Sequence, residues 1–261
     1  MRWRRDFERW RERRVNQELY QSERLAQLAQ VAGRLDGMHL LDLGAGMGGF
    51  AVAAALRGAL VTATEFNPAY CRIITLRAAR HCLGLPVINA AGEALPLPAA
   101  AFDTVVCWDV IEHVQSPDRV LGEIARVLRP GGVALVTVIN RRAWIDPHYH
   151  MRGINWLPRS LAEQLIAQRG RGKQGAAFRD MQRLSDMHYF DYQAFVALAA
   201  RHGFSTTDLR EDQLARGALH SPKASRRVAR ALLRRVGLER VAYRLQRAWY
   251  AGMFELALNR R

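Results

Sequence analysis

The chain has 261 residues, 49% of them hydrophobic, which is enough to bury one sizeable core, and it has no apolar run near the roughly 18 residues of a membrane span. The first residues, MRWRRDFERWRERR, carry charge without an apolar stretch and do not read as a secretory signal. Cys71, Cys82 and Cys107 lack C-x-x-C spacing, which fits a reduced, cytoplasmic compartment. The net charge of +15 sits at the ends: residues 1–14 hold +4 and residues 215–261 hold +10, leaving +1 for the 200 residues between. Basic ends of this kind suit an anionic membrane surface, with the protein peripheral to it, or a nucleic acid.

In chain order, residues 1–37 read as an N-terminal helical segment, with Trp3, Phe7 and Trp10 at helical spacing among arginines. His39–Leu43 has the length and apolar content of a buried strand, and an alanine-rich helix is predicted over 48–57, so the glycines between them form a strand-to-helix turn. Glycine lets such a turn approach a ligand closely. A second strand over 60–65 ends in Glu65, 21 residues after Gly44, and an acid at that offset can take both ribose hydroxyls of an adenosine. The turn reads Gly44-Ala45-Gly46-Met47-Gly48-Gly49, which by itself leaves a nicotinamide-dependent dehydrogenase open.

Further helices are predicted over 68–83, 117–128 and 191–202, and further strands over 86–90, 103–107, 133–139 and 204–209. Ser116-Pro117-Asp118 starts the second of these helices and Pro130-Gly131-Gly132 ends it; Asp191 caps the third and Gly203 terminates it. The alternation predicts a parallel, doubly wound sheet.

The order of the later pieces closes the choice left by the glycines. GEALPLPAAAFDTVVCWDVIEHV over 92–114 and EIARVLRPGGVALVTVINR over 123–141 follow the glycine turn. The chain here resembles the class I S-adenosylmethionine-dependent methyltransferases, of the group that includes quinone-biosynthesis enzymes. The likeness is good over 38–141 and looser over 190–210. It implies a Rossmann-like, doubly wound sheet of seven strands over 38–261, mostly parallel with an antiparallel last strand, plus helical insertions. It also implies S-adenosylmethionine as cofactor. By the same resemblance Asp42, Gly44, Ala45, Gly46 and Gly48 hold the methionine end, Glu65 the ribose, and Phe66 flanks the adenine. Relatives place an acid for the adenine in a pattern like G-D-A-E-x-L-P, but Ala90 and Ala91 stand at its first two positions. Backbone around Ala91 and Gly92, or a displaced Glu93, is the substitute. Asp109, in the segment Trp108–His113, lines the pocket around the transferred methyl group.

The antiparallel strand required by the resemblance is assigned to MFELALNRR, residues 253–261, where Phe254, Leu256 and Leu258 alternate with Glu255, Ala257 and Asn259. Residues 215–250 then form a basic insertion of two amphipathic helices hinged at Gly237. A second insertion, 142–189, is the expected substrate lid. Methyl transfer needs a proton acceptor, and His113, His148, His150 and His188 are the candidates. Their presence favours oxygen methylation, since no Asn-Pro-Pro-Tyr-type signature of amide or base N-methylation is found. No metal is expected, although Asp109, Glu112 and His113 share a helical face and form the alternative set for a divalent ion. The acceptor is expected to be a small molecule or lipid-linked, such as a glycolipid, a sugar or a quinone precursor; a nucleic acid is the alternative partner.

Overall fold

A computed structural model describes residues 7–169, 183–218 and 224–261, so Trp3 and most of the basic stretch 169–175 lie outside the described residues. Seven strands, β1 (His39–Leu43), β2 (Leu60–Glu65), β3 (Val87–Asn89), β4 (Phe102–Cys107), β5 (Leu128–Ile139), β6 (Phe204–Asp208) and β7 (Met253–Arg260), form one sheet in the order β3-β2-β1-β4-β5-β7-β6. The sheet is mostly parallel, with antiparallel pairing among the last strands. β1 pairs in parallel with β2 and β4, and β2 with β3. Leu40, Leu41, Ala63, Val105 and Val106 are fully buried, as central strands covered on both faces demand.

The seven strands predicted from the sequence are all present, with MFELALNRR as β7 between β5 and β6. Two boundaries differ. α5 (Pro117–Val127) gives way at once to β5, so Pro130-Gly131-Gly132 lies inside the strand rather than after the helix. β6 stops at Asp208, whose carboxylate accepts hydrogen bonds from the Arg210 and Glu211 backbone N–H groups and starts α8 (Leu209–Ala215), a helix the sequence reading missed. Asp191 stands at the start of α7 (Tyr192–Arg201) without a capping bond; its carboxylate pairs with Arg142 at 2.7 Å instead.

The chain divides into two compact units, residues 1–110, 118–135 and 259–261 in the first, residues 111–117 and 136–258 in the second. In the first unit α1 (Phe7–Val15), a short 3-10 turn (Gln17–Tyr20) and α2 (Ser22–Ala32) precede β1; α3 (Gly49–Ala55) and α4 (Pro68–Ala79) follow β1 and β2. Glu18 is buried on the turn and meets Arg77, Arg80 and His81 of α4 and its C-terminal end. Burial pushes its carboxyl up, but the hydrogen bonds from His81 and Arg77 overcome this and hold it near 2. Arg77 also donates to the carbonyls of Arg14 and Val15 at 2.8 and 2.7 Å and of Met47 at 2.9 Å. One guanidinium thus ties the N-terminal segment to the glycine turn.

In the second unit, Tyr149, Met151, Ile154, Leu184 and, from α6 (Arg159–Gln168), Ala162 and Ile166 form a small core with Ile139 of β5. After α8 come α9 (Ala224–Arg235) and α10 (Glu239–Trp249), joined at Gly237 with φ +72°. Asn140 at the end of β5 donates to the carbonyls of Arg247 and Ala251 at 2.9 and 2.8 Å, fixing the turn from α10 into β7.

Candidate functional site

The residues expected to hold the cofactor all fall in the first unit. Gly44 and Gly48 carry φ of +71° and +75°, and a Cβ on them would lie 2.4 Å from Val110 and 2.8 Å from Ile74, so both conformation and space call for glycine. Gly44 and Ala45 donate their N–H groups to the Thr64 carbonyl at 2.9 and 3.0 Å. Glu65 then reaches across: Oε2 accepts from Gly46 N–H and Oε1 from Asn67 N–H, each at 2.8 Å. The carboxylate predicted to bind ribose therefore lies against the glycine turn. Phe66, next in the chain, is 75% exposed, an unusual position for a phenyl ring in the absence of a ligand face. Asn89 donates to the carbonyls of Glu65 and Phe66 at 2.9 and 2.7 Å and holds this corner; the sequence reading did not single it out. Gly92 packs close to Leu43 and Val120, its virtual Cβ 3.2 and 3.4 Å away, while Ala91 and Glu93 are half-buried beside it.

Asp42 is buried at the end of β1. Burial pushes its carboxyl up to about 7; Arg24 opposes the rise and Glu65 adds to it. Because the folded value exceeds the ordinary 3.8, the fold binds more protons than the unfolded chain between those limits, and the contribution to stability falls as pH rises from about 4 through 7. Asp42→Asn is expected to remove that slope and to raise the unfolding midpoint above neutral pH. Thermal melts of both proteins across this range check it, and parallel pH profiles would contradict the assignment.

Arg24 is the donor-side residue that no motif revealed. From α2 it pairs with Asp109 at 2.9 Å, and its guanidinium lies 4.9 Å from the centre of the Trp108 ring, which in turn meets Phe50 edge-on at 4.5 Å. Asp109 itself has φ +58°, a conformation a non-glycine residue rarely adopts.

The second unit groups a different set. Glu112, His113 and His148 bring one ligand atom each to within 4.8 Å of one another. Glu112 is buried, its Oε1 3.7 Å from His148 Nε2, and the rings of His113 and His148 are 5.2 Å apart. Of the alternative metal set read from sequence, Asp109 pairs with Arg24, while Glu112 and His113 stand with His148, from 35 positions further along the chain. Asp146 sets up His148. It is fully buried, accepts from the backbone N–H groups of His148 and Tyr149 at 2.9 and 2.7 Å, and accepts a hydrogen bond from the Tyr189 hydroxyl at 3.0 Å. Burial, reinforced by Asp146, pushes the Tyr189 hydroxyl well above its usual range, so it stays a donor. His188 joins only through its backbone, N–H to the Glu112 carbonyl at 3.0 Å. The His150 side chain is exposed and outside the group.

A family described as methyltransferase domain matches residues 41–136, from inside β1 into β5 and so across the whole donor corner. Residues 41–136 are thus similar to a methyltransferase domain. Among curated relatives, the ubiquinone biosynthesis O-methyltransferase of Coxiella burnetii is 32% identical over 107 residues, 41% of this chain and 46% of that one. The Xylella fastidiosa counterpart is 33% identical over 108 residues, again 41% of this chain and 44% of its own. The aligned part of the chain spans less than half of these relatives' length. The fold is shared far more widely: an S-adenosylmethionine-dependent methyltransferase from Mesorhizobium loti superposes with a TM-score of 0.57 over 90% of this chain and 98% of its own, at 17% identity.

Proposed function

We propose that the chain is an O-methyltransferase that moves the methyl group of S-adenosylmethionine to a hydroxyl of a small or lipid-linked, quinone-like acceptor. The single observation that carries the choice of oxygen is the convergence of Glu112, His113 and His148, a carboxylate and two imidazoles suited to holding a hydroxyl and accepting its proton. The named activity of the curated relatives agrees with it.

On the donor side, Glu65 would keep the Gly46 and Asn67 N–H groups on its carboxylate and offer the remaining lone pairs to the ribose hydroxyls, Phe66 and the backbone of Ala91 and Gly92 would frame the adenine with Glu93 beside them, and Gly44 to Gly48 would leave room for the methionine chain. Arg24 suits the carboxylate of that chain, and Asp42 answers its positive charge. Binding and alignment supply much of the acceleration, because the sulfonium already activates the methyl group. When bound, S-adenosylmethionine would supply an activated methyl group whose carbon–sulfur bond breaks as the acceptor oxygen attacks, the electron pair leaving with sulfur; within the second unit, His148 would accept the hydroxyl proton. Glu112 stabilises the imidazolium that results, as a carboxylate does beside a catalytic histidine.

A second reading is favoured by the same donor set. Two imidazoles and a carboxylate suit a divalent ion, which, when bound, would make an acceptor hydroxyl more acidic. The proton-acceptor reading expects transfer to survive a chelator. Loss of transfer on chelation, rescue by Mg²⁺, Mn²⁺ or Zn²⁺, and calorimetric ion binding that disappears in Glu112→Gln would select the ion instead. The acceptor itself is found by incubating the protein with methyl-labelled donor and fractionated cell extracts, then identifying the labelled product by mass. Label confined to RNA would overturn the small-acceptor reading.

A further inference from the structure

We propose that the α9–α10 hairpin is a docking surface for an anionic lipid bilayer, with its apolar stripe seated among the acyl chains and its arginines at the headgroups.

The argument starts from which side of α10 faces the protein. A helix on a globular protein normally buries its apolar stripe and turns its charges to water. α10 does the reverse. Arg247 is buried, donating to Asp208 and Glu211 at 2.9 Å each, with its guanidinium 3.6 Å from the centre of the Tyr192 ring. Tyr243, one turn earlier, donates its hydroxyl to Asp208 at 2.9 Å, and Arg244 pairs with Glu211 at 2.7 Å. The polar side anchors the helix to α8 and β6. Val241, Leu245 and Trp249 are left on the outside, and Val228, Leu232 and Val236 of α9 continue the stripe; all six are between 52% and 64% exposed.

Trp156, from the 3-10 turn before α6, extends this face. It is 53% exposed and meets Trp249 edge-on, ring centres 6.5 Å apart, while the Arg142 guanidinium lies 4.9 Å from the Trp249 ring centre. Tryptophans next to arginines at the end of an apolar stripe are what a membrane–water boundary favours, since the ring is apolar with one polar N–H and the arginine stem can lie along hydrocarbon while its head stays wet.

Charge selects the occupant. From Ala224 to Trp249 the hairpin has eight arginines against the single acid Glu239, which itself pairs with Arg230 and Arg234 at 3.2 and 2.8 Å. A second copy would set two such cationic faces against each other. A nucleic acid would meet the arginines but would leave valines and leucines with nothing to bury against. A bilayer carrying anionic headgroups satisfies both halves of the surface at once.

The test is flotation of the full chain with vesicles of phosphatidylcholine alone and of phosphatidylcholine mixed with phosphatidylglycerol, at low and high salt. Binding to the anionic vesicles, weakened by salt, is expected. Arg235→Gln with Arg240→Gln, both at exposed positions, should weaken it about 20-fold, from roughly fivefold per basic residue at a charged surface. Leu232→Asn with Leu245→Asn should weaken it at least tenfold by removing apolar insertion while sparing the Arg247 and Tyr243 anchors. S-adenosylmethionine binding and thermal midpoint should stay unchanged in both pairs, which separates docking from folding and from the donor site. Absence of flotation on anionic vesicles, equal flotation on neutral ones, or full flotation of the leucine pair overturns the proposal. So does salt-sensitive RNA binding, or a dimer lost in the leucine pair, if either occurs without flotation.

Discussion

Glu65→Ala is expected to weaken S-adenosylmethionine binding by two charge-assisted hydrogen bonds, about 3–6 kcal/mol in all, which is a loss of more than 100-fold in affinity. Both carboxylate oxygens are in place in the structure, one on Gly46 N–H and the other on Asn67 N–H, so the side chain is already aimed before any donor arrives. The expected loss has two sources: ribose hydroxyls without an acceptor, and a glycine turn without its latch. Glu65→Gln separates them. The amide keeps the shape and one acceptor oxygen, so it should preserve the thermal midpoint better than it preserves affinity. Titration calorimetry on the folded variants measures the effect, and an unchanged affinity for Glu65→Ala would remove Glu65 from the donor site.

Arg77→Ala is expected to cost about 3–5 kcal/mol of stability, the usual result of stripping one partner from a buried ion pair. The guanidinium is 5% exposed, Glu18 is its buried partner, and three backbone carbonyls depend on it as well. Replacing both Arg77 and Glu18 by leucine should recover much of the loss, because the uncompensated charge then disappears. The denaturant midpoint reads both effects. The same pair gives a pH signature. With Glu18 held near 2 against an ordinary 4.5, the stability it contributes is present above about 4.5 and is lost as pH falls through that window. A wild-type-like midpoint for Arg77→Ala would mean that the N-terminal segment contributes little to the donor corner.

Strands were the most legible part of the fold. β1, β2 and β4 bury most of their residues and are apolar at half or more of their positions, and in β7 Phe254, Leu256 and Leu258 are buried while Glu255 and Asn259 are not. The glycine turn and Glu65 were legible for a similar reason, since a close backbone approach and a carboxylate at a fixed distance leave few residue choices. The side chains that complete each site were not. Arg24 is one arginine among many on a polar helix, and nothing in its neighbours announces the ion pair to Asp109. His148 joins Glu112 and His113 through a turn built on the Asp146 carboxylate, which accepts from the His148 and Tyr149 N–H groups and from the Tyr189 hydroxyl, a contact with no local pattern. Glu18 stands in no recognisable motif, and only the packing of α4 and its C-terminal end supplies its three basic partners. In α10 the periodicity marked two faces correctly but did not say which was inside. That was decided by Asp208, which both starts α8 and receives Tyr243 and Arg247.

The measurement that bears most directly on the account is methyl transfer from labelled S-adenosylmethionine to two matched acceptors, a polyprenyl hydroquinone and its amino analogue, with the product identified by mass. Transfer to the hydroxyl acceptor alone, yielding a methyl ether, abolished in Glu65→Ala and reduced at least 100-fold in His148→Ala as expected for loss of a general base, is the predicted result. Label on the amine in preference to the hydroxyl, or donor binding with no transfer to either acceptor and none in extracts, would contradict it.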